Sequence, residues 1–140
     1  MIKQCIKKVD DMAHVMIIED EPAIVMVISE MLSDEGYEVT AAYDGLSGLR
    51  KLRECKKPDI VLLDLNMPGI NGRETVERMR SDAMLRDIPV VLVTGTVYNS
   101  VDFPPEGTYQ DILEKPFDLL EMLKKIKSIS EGRCGFKKIS

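Results

Sequence analysis

The sequence holds one histidine, His14, and only three cysteines, Cys5, Cys55 and Cys134. A lone histidine cannot build a His-based metal site or a Ser-His triad, and His14 reads as a structural or surface residue at the start of a strand. The cysteines are odd in number, far apart and match no CxxC or zinc spacing, so they read as unpaired thiols in a reducing cytoplasm. No stretch approaches the roughly 20 apolar residues of a membrane helix. Residues 1–12 carry lysines but no apolar run and no cleavage signal, which argues against a secretory peptide. Basic charge is also short. With 19 Lys and Arg against 24 Asp and Glu the net charge is −5, which argues against a direct nucleic-acid surface. No GxxxxGK(S/T) and no GxGxxG after the first apolar run is present, so neither a P-loop nor a dinucleotide fold is supported.

What is present is a balance of 44% hydrophobic and 31% charged residues in 140, enough for one domain with a real core. Short apolar runs alternate with amphipathic stretches. "HVMII" (14–18), a run around Tyr37, Val39 and Ala41, "DIVLLD" (59–64), "IPVVLVT" (88–94) and "DILE" (111–114) read as five strands. The third and fourth are nearly all apolar, as in strands covered on both faces, while the second alternates with polar residues and suits an edge.

Between them, Ile24, Val27, Ile28 and Met31 mark one helix stopped by Gly36. Leu46, Leu49 and Leu52 mark a second, and Val76 and Met79 a third. Leu119, Leu120, Leu123 and Ile126 give the inner face of the last, with Asp118 and Glu121 as its capping box. This alternation implies an α/β fold, a flavodoxin-like doubly wound five-stranded parallel sheet of order 2-1-3-4-5. Residues 14–130 form the domain, 1–13 an N-terminal extension (Met12 is a sensible alternative start), and 131–140 a short basic tail.

In such a sheet ligands sit at the carboxyl ends of the strands. The first strand ends in Glu19, Asp20 and Glu21, the third in Asp64, the fourth in Thr94, and the fifth runs into Lys115. These ends converge on one crevice. Crowded carboxylates repel unless protonated or bridged by a cation. A few hard oxygen ligands with room for water and phosphate suit Mg²⁺. A carboxylate can itself accept a phosphoryl group, with Lys115 and Thr94 holding its oxygens. Taken singly, each residue is more often a cap, a solvated charge or a structural hydroxyl; jointly they read as phosphoryl transfer onto an aspartate.

The segments "VMIIEDEP", "DIVLLDLNMPGINGRE", "PVVLVTG" and "ILEKPF" resemble the receiver domain of two-component response regulators, from about His14 to Ser130. The resemblance implies that Asp64 is the phosphoacceptor and that Mg²⁺ is held by Asp20, by Glu19 through a water, by Asp64 and by the backbone carbonyl of Asn66. Thr94 and Lys115 match the hydroxyl and the lysine that hold the phosphoryl group, which Asn66 and Thr96 flank. It further implies a phosphohistidine donor on a sensor histidine kinase or histidine phosphotransfer protein, since this chain has no such histidine to offer. A downstream protein target, a cytoplasmic location and no separate turnover activity also follow, and a homodimer is left open.

Three positions depart from the family pattern. Glu19 stands where Asp is commoner. Ile112 replaces the usual Tyr or Phe three residues before the lysine. In "GTVYNSVDFPPEGTYQD" (95–111), Pro104, Pro105 and Gly107 oppose the expected fourth helix, so that helix is expected to be short or irregular. Tyr98, Phe103 and Tyr109 are expected to fill the gap by packing, with a partner patch as the alternative. Two other classes compete. An aspartyl-phosphate hydrolase would want an acid two residues after the nucleophile, where Asn66 stands. A receiver-like docking scaffold that is never phosphorylated would not need all five site side chains.

Overall fold

The computed structural model describes residues 13–67, 69–95 and 103–134, with side chains to residue 130. Cys5, Pro68, Thr96 and Tyr98 lie outside these residues. Five strands, β1 (His14–Ile18), β2 (Glu38–Ala42), β3 (Ile60–Asp64), β4 (Val90–Thr94) and β5 (Asp111–Glu114), form one sheet in the order β2-β1-β3-β4-β5. Every neighbouring pair is parallel. The helices are α1 (Pro22–Asp34), α2 (Gly45–Glu54), α3 (Gly72–Ser81) and α4 (Leu119–Cys134). No helix among the described residues is long and apolar enough to cross a membrane.

Successive residues of a strand face opposite sides of the sheet. Along β1, Met16 and Ile18 therefore join the core under α2 and α3, and Val15 and Ile17 join the core under α1 and α4. β1, β3 and β4 are buried along their whole length, so their apolar runs need no alternation. β2 is half-buried at an edge, as its alternating sequence suggests. The chain steps from β1 to β2 on one side and then back across to β3. That reversal leaves a crevice at the carboxyl ends of β1 and β3.

Helix inner faces differ from the sequence reading in three places. In α1 the buried stripe is Val25, Ile28 and Leu32, while Val27 is 52% exposed. The helix is apolar on nearly every side, so spacing alone does not choose its inner face. In α2 Leu49 and Leu52 are buried but Leu46 is exposed, because Gly45 and Gly48 make the close approach. A Cβ on Gly48 would lie 2.5 Å from Ile18 Cδ1. In α4 Met122 and Ile126 are buried, and Leu120 is exposed. The Asp118 carboxylate caps α4 by accepting from the N–H of Leu120 at 2.9 Å. The stop after α1 is as read: Gly36 takes a φ of 91°. Residues 103–110 contain no helix.

His14 closes the end of the sheet opposite the crevice. It is 2% exposed. Its backbone N–H donates to Asp59 Oδ2 at 2.8 Å, and its ring Nε2 shares a hydrogen bond of 2.7 Å with Thr40 Oγ1. Burial lowers its pKa from the ordinary 6.5; Glu38 and Asp59 oppose the shift, and Lys56 adds to it. A histidine whose folded-state pKa is depressed contributes stability above the unfolded value, and that contribution is lost as pH falls below it. Melting temperature should therefore fall more steeply for the wild type than for His14→Gln as pH drops below 6.5. Parallel curves for the two would show that the ring is not held neutral.

Candidate functional site

Four strand ends supply the crevice. β1 runs out at Ile18, and the N–H of Glu19 is held by the carbonyl of Ala42 at 3.1 Å, which fixes where the first acid emerges. β3 ends in Asp64 itself, buried to 3% exposure. Asp64 pairs in register with Val93, so Thr94, wholly buried, stands one residue beyond it on β4. β5 stops at Glu114, and the N–H of Lys115 donates to the carbonyl of Thr94 at 2.8 Å. The Lys115–Pro116 bond is cis.

The loop after β3 folds back on itself. Gly72 donates its N–H to the carbonyl of Leu65 at 3.2 Å. A Cβ on Gly72 would lie 2.6 Å from Leu65 Cα, so only glycine allows this closure. Asn71 then caps α3 by accepting from Glu74 N–H at 2.9 Å. The turn is thus set at both ends, with Asn66 in its first part.

The side chains meet closely. Ligand atoms of Glu19, Asp20 and Asp64 lie within 4.8 Å of one another. Lys115 Nζ stands 3.5 Å from Glu19 Oε1 and 3.7 Å from Asp64 Oδ1. Asp64 Oδ1 also accepts the backbone N–H of Asn66 at 3.1 Å, and Glu19 Oε2 that of Glu21 at 3.3 Å. Burial pushes the Glu19 carboxyl up to about 7, with the Asp64 charge adding to the rise and Lys115 opposing it. Burial also raises Asp64, against the pull of the Asn66 N–H, Lys115 and Glu19. Both members of this buried pair are therefore pushed toward the protonated form, and they titrate as a pair.

One ammonium stands against a cluster of three acids. A divalent cation with hard oxygen ligands suits such a cluster, because it would offset the repulsion that burial aggravates. The sequence reading named Glu19, Asp20, Asp64 and Lys115, and the structure brings all four together. Thr94 ends the adjacent strand, and Asn66 reaches Asp64 through its N–H; Thr96 lies outside the described residues. The reading missed the Ala42 carbonyl, and it took Gly72 as a turn residue without its close approach to Leu65. Gly72 ends a turn and was a legible signal, whereas the Ala42 contact is backbone and leaves no mark in the residue types.

The arrangement can be compared with known proteins. The profile of the response regulator receiver domain matches residues 15–127. Protein PilH of Pseudomonas aeruginosa is 34% identical over 123 residues, covering 86% of this chain and all of PilH. The DNA-binding dual master transcriptional regulator RpaA of Synechocystis sp. is 36% identical over 120 residues, covering 84% of this chain but 49% of RpaA. The chain thus spans about half the length of several curated relatives. Among solved structures, the receiver domain of sensor histidine kinase PA1611 from Pseudomonas aeruginosa superposes with a TM-score of 0.76 at 26% identity, covering 85% of this chain and 98% of that one. That structure has a magnesium ion coordinated in its active-site cleft. With an acidic crevice at the switch point of a 2-1-3-4-5 sheet, and a profile match that runs through it, this chain belongs to the family of response regulator receiver domains.

Proposed function

We propose that this chain accepts a phosphoryl group onto Asp64 from a phosphohistidine on a sensor kinase or phosphotransfer protein, in a Mg²⁺-dependent reaction. It then signals by binding another protein or by passing the group along a relay. The observation that carries this is the position of Asp64: a buried carboxylate ending the central strand, oriented by Asn66 N–H and faced by Lys115.

Asp64 is the nucleophile. Its Oδ1 is held by the Asn66 N–H and by the nearby ammonium, which fixes the plane of the carboxylate. A carboxylate oxygen attacks phosphorus, the new O–P bond forms in line, and the P–N bond to the donor imidazole breaks with its electron pair leaving on nitrogen. Lys115 Nζ offsets negative charge on a phosphoryl oxygen, and the Thr94 hydroxyl donates to another. Asp20, Glu19 through a water, Asp64 and the Asn66 carbonyl would hold Mg²⁺, which supplies positive charge for the incoming group. Glu19 is a longer acid than the usual Asp and is already engaged with Asp64 and Lys115. That arrangement suits an indirect role. The domain spans residues 14–130, and no separate turnover activity is assigned to it.

Incubation with acetyl phosphate and Mg²⁺, followed by intact mass measurement, should show one added phosphoryl group. The adduct should be labile to hydroxylamine and absent from Asp64→Asn. Labelling that persists in that variant would sink the assignment. Lys115→Ala should slow phosphorylation by on the order of 10²-fold, the usual effect of deleting one group that stabilises developing charge. Its Mg²⁺ affinity should be unchanged or higher, since a competing cation is removed; a loss of metal binding would contradict the division of roles.

A further inference from the structure

Parallel strands need a long crossover, and a helix packed on the sheet is the usual means of seating the second strand. In the described part of the β4–β5 crossover there is no helix, and β5 is a four-residue strand at the edge of the sheet. Apolar packing of Ile112 and Leu113 is joined there by polar contacts. Arg80, on the last turn of α3, donates from Nε to the carbonyl of Thr108 at 2.9 Å. Its Nη1 donates to the carbonyls of Arg86 at 3.0 Å and Ile88 at 2.9 Å. One guanidinium therefore joins α3, the approach to β4 and the approach to β5.

Gln110 completes the joint. Its N–H donates to the carbonyl of Val90 at 2.8 Å, and its Oε1 accepts the Val90 N–H at 2.7 Å. Phe103 and Tyr109, edge to face with centroids 5.8 Å apart, pack with Ile112 on the core beside it.

Among the described residues no carboxylate lies within ion-pair distance of Arg80, although the Asp87 charge acts on it, and its Nη2 is buried without a hydrogen-bond partner there. A half-buried cation satisfied by three carbonyls is a costly device for stability alone; its planar fork of donors gives geometry. The geometry lies at the amino ends of β4 and β5. Thr94 and Lys115 lie at the other ends of these strands of five and four residues. A tilt of β5 against β4 at one end is therefore felt at the other.

We propose that Arg80 is a positioning residue for phosphoryl transfer: it seats β5 against β4 and thereby sets where Thr94 and Lys115 stand relative to Asp64. The proposal rests on the roles given to those residues above. It also explains how a crossover rich in proline and glycine can serve a site that needs a fixed lysine.

The test compares the full chain with Arg80→Ala and Arg80→Lys, each checked for folding by melting temperature. Two quantities are read: the rate of phosphorylation by acetyl phosphate at saturating Mg²⁺, and Mg²⁺ affinity by calorimetry. Glu19, Asp20 and Asp64 end β1 and β3, which Arg80 does not touch. Arg80→Ala should lose roughly tenfold in rate, since small misplacements far from the chemistry have effects of that size or larger. Its Mg²⁺ affinity should match the wild type. Arg80→Lys, which cannot span three carbonyls, should fall between them. A folded variant with wild-type rate overturns the proposal, as does a metal affinity that falls in step with the rate. Should Arg80→Ala not fold, Arg80→Lys decides by the same two readings. A wild type that takes no phosphoryl group removes the functional reading first, and this proposal with it; that outcome is distinct from a labelled wild type and an equally labelled variant.

Discussion

Glu19 and Asp64 end neighbouring strands of a parallel sheet, and each is pressed into a place where water reaches it poorly. Both carboxyls are raised by that burial, and Lys115 is the ammonium set against them. Much of the fold serves this crowding. The fully buried strands β1 and β3 can lie side by side only under helices on both faces, which removes solvent from their ends. The reversal of strand order opens the crevice above them. The Gly72 closure turns the Asn66 N–H onto Asp64. The result is a crevice of crowded acids set against one ammonium, a place suited to further positive charge.

Much of this was legible in the sequence for a physical reason. Strand ends in a doubly wound sheet share one side, so residues far apart in the chain could be assigned to one crevice from topology alone. Asp64 after "IVLL" and Lys115 before Pro116 needed no coordinates to be paired. The inner faces of helices were less legible. In α1 apolar residues occupy nearly every position, and in α2 the close approach is made by Gly45 and Gly48 rather than by leucines. Arg80 was invisible. It sits among Arg73, Glu74, Glu77 and Arg78, whose ion pairs are those of an ordinary solvated helix face, and its three partners are backbone carbonyls.

Two of the three departures from the family pattern lie together in space, and the third, Glu19, stands in the crevice. Ile112 packs with Phe103 and Tyr109 on the core, and these two aromatics belong to the non-helical part of the crossover. Ile112 brings an aliphatic side chain and no ring to this position. The aromatic mass of this region is instead fixed beside it, on a segment tied down by Arg80 and Gln110. Asp64, Thr94 and Lys115 keep their places at the strand ends beside this exchange.

The central claim is that the buried acids await a divalent cation and that a proton on Glu19 competes with it. Calorimetric titration of the full chain with Mg²⁺ across a series of pH values tests this directly. Binding should tighten as pH rises through about 7, where the Glu19 carboxyl gives up its proton, and the heat in buffers of different ionisation enthalpy should report proton release. No Mg²⁺ binding, or an affinity that stays level from about pH 6 to about pH 8, would contradict the account.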